Sequence, residues 1–344
     1  MINRVLIVAL GSIGKRHLRL ARELLPAADI RVLRHQVDNA VPNGASGCLP
    51  TIEAAIAFAP QIAVISSPAT HHIKTAQALA KAGVHLLIEK PLSASLDGVA
   101  QLLETCHRQG TALLTGYNLR FLPSLQRFRD LLGEQAVGRV LSVRCEVGQY
   151  LPAWRPDSDY RLSVSARREL GGGALLELSH ELDYLRWIFG DVDWVRATLS
   201  RQSSLSLDVE DTAHLTLGFV PAPDGNRLIG AVSLDFVRQD TTRLCTAIGE
   251  NGSLRWNGLT GGVELYEVGA MGWRELFSFP HQRDDSYMAE WRNFIDCVNG
   301  QKTPLITGED GLNVLQIIEA ARQSAASGGQ VSVASMSRPI KVGS

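Results

Sequence analysis

Three consecutive residues, Glu89-Lys90-Pro91, have the types and the position to do chemistry. They end an apolar run over 85–89 that is typical of a buried strand. Lysine is disfavoured inside a sheet, but the carboxyl ends of strands in an open α/β sheet face the ligand crevice. There a lysine can polarise the oxygen of an alcohol or a carbonyl, or transfer a proton. A surface lysine paired with Glu89 explains the same residues.

The turn Gly11-Ser12-Ile13-Gly14 follows an apolar run and opens a helix-like run, as do turns that bind a dinucleotide pyrophosphate. Gly11 would let the backbone approach the pyrophosphate, and Gly14 would let the helix pack closely on the strand. Ala9 occupies the position of the motif's first glycine, which restricts the tight turn. A strand, turn and helix that bind no nucleotide also fit these residues.

A second group of candidate residues lies over 171–189, where three glycines precede a helix-like run. Such glycines permit close approach of another segment or a ligand. On one continuous helix His180 faces away from the apolar stripe, with Glu177 and Asp183 three residues to either side. A histidine between carboxylates can act as a general base, and a surface histidine in a salt-bridged helix face is the alternative. The predicted stripe contains Leu175, Leu178, Leu182, Leu185 and Phe189.

The loop predicted over 150–170 is polar and aromatic. Its aromatic residues Trp154 and Tyr160 could stack on the face of a sugar. Its arginines could bind a carboxylate or a phosphate through bidentate hydrogen bonds. Arginine and aromatic residues are also enriched at protein interfaces, so an oligomer contact fits the loop equally well. The arginines are Arg155, Arg161, Arg167 and Arg168.

Strand-like and helix-like runs alternate in the first third of the chain, which predicts a parallel, doubly wound sheet. After about residue 121 a run of strands predicts an open, mostly antiparallel sheet with helices on one face. We expect a Rossmann domain over 1–121, a substrate and oligomerisation domain over 122–334, and a tail over 335–344. The predicted strands cover 4–9, 30–34, 61–66, 85–89, 112–117, 139–149, 193–200, 210–219, 228–238, 242–249 and 253–256. The predicted helices cover 13–25, 51–58, 71–82, 95–109, 123–133, 174–189, 285–299 and 309–326.

Composition limits the class of protein. The chain has 344 residues, 45% of them hydrophobic and 20% charged, which is an ordinary globular balance for about two domains. The net charge of -1 provides no basic field for nucleic acid or an acidic membrane surface. Five scattered cysteines without a C-x-x-C pair favour reduced thiols in a cytoplasm. The sequence has no His, Cys or Asp cluster with metal-ligand spacing, so we expect no metal site.

The type of cofactor depends on the end of the second predicted strand. An acidic residue there binds the ribose 2′-hydroxyl of NAD, whereas an arginine accommodates the 2′-phosphate of NADP. No carboxylate stands at the end of the run over 30–34, and Arg34 does. This favours NADP over NAD, unless Arg34 is a solvated surface residue.

With these motifs in this order, residues 1 to about 330 resemble the Gfo/Idh/MocA oxidoreductase family. The further matching motifs are Arg16-His17, Ser67-Pro68 with His72, and Gly116-Tyr117-Asn118 with Arg120. The resemblance implies a Rossmann domain, a second domain on an open sheet, and NAD(P)-dependent redox chemistry, often on sugars. It also implies oligomers that pack sheet on sheet, as a homodimer or a homotetramer. The segment 148–166 resembles a subgroup associated with bacterial surface-sugar pathways.

The resemblance implies roles for individual residues. The family often has an aspartate four residues before the histidine of this helix, where this chain has Leu176. The carboxylate partner of His180 therefore stays open. The implied catalytic residues are Lys90, His180, Asp183 and Glu177. The implied cofactor-binding residues are Gly11, Ser12, Ile13, Gly14, Arg16, Arg34, Ser67, Pro68, His72, Glu89, Lys90 and Asn118. The predicted substrate-binding residues are Tyr117, Arg120, Trp154, Arg155, Tyr160 and Arg167.

Two functions from different classes follow. The first is an NAD(P)-dependent dehydrogenase or reductase acting on a hydroxyl of a sugar, possible substrates including an activated or acidic sugar. His180 would exchange the hydroxyl proton and Lys90 would stabilise the developing oxyanion. The second is a non-catalytic dinucleotide-binding regulator on the same fold. A sensor has no need of both Lys90 and His180, so their presence favours the enzyme.

Overall fold

The computed structural model describes residues 2–34, 41–222, 225–280 and 282–333. The chain forms two compact units. The first contains Met1–Asn118 and Asp284–Leu315, and the second contains Leu119–Arg283 and the chain from Gln316. The predicted boundary at 121/122 assigned all later residues to the second domain, whereas Asp284–Leu315 belongs to the first unit. The predicted tail over 335–344 lies outside the described residues.

A six-stranded parallel sheet forms the centre of the first unit. Its strand order is β3-β2-β1-β4-β5-β6, so the order reverses between β1 and β4. In sheets of this kind ligands bind beyond the carboxyl ends of the strands, at the point of reversal. The strands are β1 (Arg4–Val8), β2 (Asp29–Leu33), β3 (Gly47–Leu49), β4 (Ile62–Ile65), β5 (His85–Glu89) and β6 (Leu113–Gly116).

Helices cover this sheet because its strands are apolar on both faces. Every residue of β4 is buried, as expected for a central parallel strand. A late helix, α8 (Asp285–Val298), also belongs to this unit and buries Trp291 and Phe294 in its core. The earlier helices are α1 (Ser12–Leu24), α2 (Ile52–Ala57), α3 (His72–Lys81) and α4 (Val99–Gln109).

The second unit contains a nine-stranded sheet in the order β14-β13-β12-β11-β7-β10-β9-β8-β15. Among the strands that the structure describes in this sheet, only β7 and β10 pair in parallel, so the prediction of a mostly antiparallel sheet is confirmed. The strands alternate between buried and more exposed residues, the pattern of a sheet with one covered face. They are β7 (Val140–Gly148), β8 (Val192–Ser200), β9 (Thr212–Phe219), β10 (Ile229–Asp235), β11 (Thr242–Gly249), β12 (Gly252–Asn257), β13 (Gly262–Glu267), β14 (Arg274–Ser278) and β15 (Val331–Ser332).

The helix predicted over 174–189 is wrong as one continuous helix. The structure has α6 (Ala174–Glu177) and α7 (His180–Phe189), separated by Leu178 and Ser179. The Ser179 hydroxyl donates to the carbonyl of Leu176 at 2.8 Å, a local bond that competes with regular helix. His180 thus begins a helix. The leucines of the predicted stripe are nevertheless buried. The remaining helices are α5 (Pro123–Gly133) and α9 (Gly308–Ser327).

The sequence prediction missed strands β3, β13, β14 and β15. Strands β3 and β15 span only three and two residues, too short for an alternating pattern to be recognised. In β14, Arg274 and Glu275 are exposed and no residue is fully buried, so its sequence carries little apolar signal. No helix among the described ranges is long and apolar enough to cross a membrane.

The turn between β1 and α1 departs from ideal geometry at one residue. Ala9 has a φ of 69°, the left-handed conformation that glycine adopts without cost. A Cβ on Gly14 would overlap the carbonyl oxygen of Ala9 and the hydroxyl of Ser66. The glycine at 14 is therefore required by the packing of α1 against the ends of β1 and β4. The alanine at 9 is a source of strain.

We expect Ala9→Gly to stabilise the protein. A left-handed non-glycine residue destabilises the folded protein by about 1–2 kcal/mol, and glycine removes this strain. Glycine also has more conformational freedom in the unfolded chain, which offsets about 0.4–1 kcal/mol of the stabilisation. The net increase in the free energy of unfolding should be about 0.5–1 kcal/mol. Urea unfolding checks this, with Ala28→Gly, at a buried residue that is not among those with positive φ, as the control expected to lose stability. Lower stability of the Ala9 variant would contradict the strain.

Candidate active site

The glycine turn leaves the start of α1 open to a ligand. Gly11 is the N-cap residue, with φ of −62° and ψ of −176°, and no side chain caps this end of the helix. A Cβ on Gly11 would meet no atom within 4 Å, so nothing among the described residues requires glycine there. Ser12 is exposed beside it, and Ile13 is half-buried. Uncapped N–H groups at a helix N-terminus bind phosphate, so this turn fits the pyrophosphate of a dinucleotide.

Arg16, the next candidate on α1, is held by the late segment of the first unit. Its Nε lies 3.0 Å from Oδ1 of Asp284, and its guanidinium lies over the ring of Tyr287 at 4.6 Å. Asp284 also pairs with Arg19. Arg16 is therefore fixed in direction near the start of α1.

Arg34 lies directly after β2, where the sequence prediction placed the adenosine end of the cofactor. Its backbone N–H donates to the carbonyl of Leu49 at 3.1 Å, and its side chain is half-buried. The chain over 35–40, which follows it, lies outside the described residues.

His72 connects the segments that follow β4 and β5. Its Nε2 lies 2.7 Å from the carbonyl oxygen of Ser67, and its Nδ1 lies 3.1 Å from that of Pro91. The ring is almost fully buried, and this burial lowers its pKa, so it is neutral at pH 7 and donates one proton. Pro68 precedes a short 3-10 turn in the same connection. His72 therefore donates to one of these two carbonyls and lies against the other, beside the carboxyl ends of the strands.

Lys90 follows β5 and is half-buried. Its backbone N–H donates to Oε2 of Glu89 at 3.1 Å, and the Lys90–Pro91 peptide bond is cis. The other oxygen of Glu89, Oε1, lies 2.7 Å from Nε2 of His17. Nδ1 of His17 in turn accepts a hydrogen bond from the indole N–H of Trp291 at 2.9 Å. The backbone of Lys90 is therefore held by a buried carboxylate that is itself hydrogen-bonded to His17.

Tyr117 and Asn118 end the first part of the first unit. Tyr117 is completely buried. The side-chain amide of Asn118 donates to the hydroxyl of Ser286 at 2.8 Å, which fixes the residue to the start of α8. The predicted roles of these two residues toward cofactor and substrate stay predictions.

In the second unit, buried ion pairs fix the first turn of α7. Asp183 accepts two hydrogen bonds from Arg120, at 2.9 and 2.6 Å, and both side chains are almost fully buried. Glu181 accepts one from Nε of Arg243 at 2.8 Å. His180, the first residue of α7, is half-buried and lies next to these anchored acids. The bidentate geometry indicates that the main interaction of Arg120 is with Asp183 and not with a substrate.

Glu177, the other predicted partner of His180, accepts a hydrogen bond from the hydroxyl of Ser165 at 2.9 Å. The glycines before α6 have a packing role, because a Cβ on Gly172 would overlap the carbonyl oxygens of Val164 and Ser165. Glu210 accepts from the N–H of Leu175 at 3.0 Å, and burial raises its pKa. The loop and α6 are therefore one packed structure.

The loop side chains predicted to bind substrate have partners within the loop region. The indole N–H of Trp154 donates to the carbonyl of Gln149 at 3.1 Å, and the hydroxyl of Tyr160 accepts from the N–H of Ser206 at 3.2 Å. Nε of Arg167 donates to the carbonyl of Arg161 at 2.8 Å. A small cavity lies among these residues, and Arg155 contributes to its wall. The stacking faces of the aromatic rings are not used by these hydrogen bonds.

The sequence prediction missed residues that the fold brings to the end of β5. His17 belongs to the Arg16-His17 motif, but the sequence alone assigns no role to it or to Trp291, Asp284 and Tyr287. Trp291 is 274 positions from His17 along the chain, so no local spacing could indicate the pair. Over the described part of the chain, no group of three or more His, Cys, Asp and Glu side chains is arranged to hold a metal ion.

Comparison with known proteins gives matches over both parts of the chain. Residues 3–117 match the model described as the oxidoreductase family, NAD-binding Rossmann fold, and residues 129–333 match the C-terminal alpha/beta domain of the same family. A similar protein is the myo-inositol 2-dehydrogenase of Thermotoga maritima. It is 25% identical over 284 residues, which cover 76% of this chain and 76% of that protein.

Solved structures share the fold. Levoglucosan dehydrogenase, in a complex with NADH and levoglucosan, has a TM-score of 0.83 and 21% identity, over 97% of this chain and 100% of that one. The WlbA dehydrogenase of Bordetella pertussis, in a complex with NADH and UDP-GlcNAcA, has a TM-score of 0.78 and 22% identity. That match covers 97% of this chain and 99% of that one.

The predicted Rossmann sheet, the predicted open second sheet and the matches to both family domains agree with one another. The glycine turn lies at the point of strand reversal, and no side chain caps the start of α1 there. This chain therefore belongs to the Gfo/Idh/MocA family and is an NAD(P)-dependent oxidoreductase.

Proposed function

We propose that this protein is a sugar dehydrogenase or reductase that uses Lys90 and His180 to exchange the substrate proton. The observation that carries the proposal is the position of Lys90. It follows β5, and its backbone N–H donates to Glu89. A cation fixed at the carboxyl edge of such a sheet is suited to stabilise a developing oxyanion.

The proposed reaction moves one hydride and one proton away from the substrate during oxidation and returns both during reduction. When bound, the nicotinamide accepts a hydride from a hydroxyl-bearing carbon during oxidation, or returns it to a keto carbon during reduction. In the oxidation, the O–H proton passes to a base as the C=O bond forms. His180 takes this proton, and the ammonium group of Lys90 stabilises the negative charge on the oxygen. Asp183 and Glu177 hold the surroundings of His180 through Arg120 and Ser165.

The substrate proposed is a sugar or a sugar derivative. Related proteins carry the names of polyol and sugar dehydrogenases, and one structure with this fold contains an acidic nucleotide sugar. The loop residues Trp154 and Tyr160 would contact a sugar ring, and Arg155 would pair with an acidic group. The aromatic rings suit any pyranose, so the arginine is the part of the proposal that favours an acidic or activated sugar.

The assembly and location are also proposals. The nine-stranded sheet leaves residues such as Arg144 and Arg196 exposed on the face opposite its buried side chains. A second copy of the chain packed on this face would form a homodimer or, by repetition, a homotetramer. Five cysteines without a disulfide fit a reducing cytoplasm.

Cofactor binding should fail in Gly11→Val while the fold is retained. A Cβ at this position meets no protein atom within 4 Å, so we expect the valine to obstruct the approach of the pyrophosphate without disturbing the fold. Calorimetric titration with NAD and NADP, together with thermal unfolding, measures both effects. Gly14→Ala is the matched control, because its Cβ overlaps Ala9 and Ser66 and should lower stability. Unchanged affinity in Gly11→Val would remove the turn from the cofactor site.

Turnover should fall about 10²–10⁴-fold in both Lys90→Ala and His180→Ala, because each removes an acid–base group. Cofactor affinity should change little. The assay uses a panel of polyols, sugars and acidic sugars, with both cofactors in both directions. Exposed residues Lys81 and His107 provide matched alanine controls. Binding of cofactor without turnover of any panel member by the unmodified protein would instead support a dinucleotide-binding regulator.

We also propose a preference for NADP through Arg34. Arg34→Ala should weaken NADP binding about ten- to hundred-fold, since a hydrogen bond to a charged group contributes about 1.5–3 kcal/mol. NAD binding should be nearly unchanged. Arg31→Ala, on the same strand and paired with Asp29, is the control. Equal losses for both cofactors in Arg34→Ala would show that this arginine does not select between them.

A further inference from the structure

Three buried side chains form a hydrogen-bonded row behind Lys90, and the proposed chemistry does not use them. Trp291 and His17 are completely buried, and Glu89 is almost so. The indole N–H of Trp291 lies 2.9 Å from Nδ1 of His17, and Nε2 of His17 lies 2.7 Å from Oε1 of Glu89. The row joins α8, α1 and the end of β5 within the first unit.

The direction of every hydrogen bond in the row follows from its first member. An indole N–H can only donate, so Nδ1 of His17 must accept. In the neutral ring the proton is then on Nε2 and is donated to Glu89. A proton on Nδ1 would face the indole N–H and break the row. Trp291 therefore selects one tautomer of His17, and that tautomer fixes the carboxylate.

The second carboxylate oxygen of Glu89 connects the row to the backbone of Lys90. Oε2 accepts the backbone N–H of Lys90 at 3.1 Å. On the other side of the carboxylate, a Cβ on Gly116 would lie 3.2 Å from Cα and 3.3 Å from Oε2 of Glu89, so the neighbouring strand leaves little space. Glu89 is thus held by hydrogen bonds at both oxygens and by packing.

Glu290, the residue before Trp291, is a second buried carboxyl beside the row. Over the residues that the structure describes, neither of its oxygens has a hydrogen-bond partner. Burial raises the pKa of Glu290 well above its usual range, and the charge of Glu89 raises it further. The titratable and charged groups near the row include His17 and Arg16 from α1, Asp284, which pairs with Arg16, and Tyr287 from α8. Glu290 therefore favours its neutral form more strongly than an exposed glutamate does.

We propose that Trp291, His17 and Glu89 are positioning residues that fix the backbone of Lys90 and so the place of its ammonium group. The inference rests on the proposed role of Lys90 in proton exchange. None of the three side chains touches the reacting atoms. Their effect is on geometry, and small misplacements of a catalytic group can reduce a rate by about 10².

The tautomer of His17 is the first test, and it needs no substrate. Long-range ¹H–¹⁵N NMR of the histidine-labelled protein should show His17 with its proton on Nε2. Trp291→Phe keeps an aromatic ring in the core but removes the N–H, so Nδ1 should become able to bind a proton in addition to the one on Nε2, which Glu89 still accepts. His107, an exposed residue, is the internal reference and should be the same in both proteins. A proton on Nδ1 of His17 in the unmodified protein would overturn the proposal.

The second test separates positioning from general loss of structure. Trp291→Phe and Glu89→Gln should lower kcat about ten- to hundred-fold, with KM and cofactor affinity nearly unchanged. Phe294→Leu changes the packing of the same core, where Phe294 lies against the ring of Trp291, but it removes no hydrogen bond of the row and should leave kcat nearly unchanged. An equal fall of kcat in Phe294→Leu would overturn the proposal. Full turnover of Lys90→Ala would overturn the proposed function instead, and the NMR result would still stand.

Glu290→Gln tests the charge assignment. A carboxyl whose pKa is higher in the folded protein binds more protons there, so the stability of the unmodified protein falls as pH rises above the unfolded value of about 4.3. Glutamine does not ionise, so the variant does not lose stability in this way as the pH rises. Glu290→Gln should therefore gain stability over the unmodified protein at pH 8 and lose that gain near pH 4, with the His17 tautomer retained. Identical stability profiles would contradict the raised pKa of Glu290.

Discussion

The arrangement of the first unit depends on one buried carboxylate, that of Glu89. A charged group removed from water is costly unless hydrogen bonds replace its hydration. Glu89 meets this requirement with an imidazole N–H and a backbone N–H. A helix from the end of the chain returns to the first unit and brings an indole onto His17, which turns the imidazole N–H toward the carboxylate. The bond from the Lys90 N–H holds that residue at the carboxyl edge of the sheet, where sheets of this kind bind their ligands.

The second unit solves a similar problem with arginines. Asp183 and Glu181 are buried in the first turn of α7, and Arg120 and Arg243 neutralise them. Buried pairs of this kind add little net stability, but breaking one by removing a partner costs about 3–5 kcal/mol. Their value lies in position, since α7 cannot rotate or shift without separating them. The residue so fixed is His180, which begins the helix.

Local patterns predicted the parts of the fold whose signals are local. The apolar runs became the strands of the parallel sheet, and the glycine turn lies between β1 and α1 as expected. The leucine stripe is buried, although Ser179 divides the predicted helix in two. The predicted neighbours of His180 were taken from helix spacing, and spacing could not show that Asp183 already has a bidentate partner 63 positions away. The short or polar strands had no pattern to detect.

The sequence by itself determined the class of this protein, because strand, turn and helix signals are repeated many times and each depends only on neighbouring residues. It also determined which residue types could do chemistry, since Lys90 and His180 stand at recognisable points of those elements. Only the tertiary structure decided the partners of the buried charges. Hydrogen bonds such as those from Trp291 to His17 and from Arg120 to Asp183 join residues far apart in the chain. Burial makes such bonds obligatory, and burial is a property of the folded chain alone.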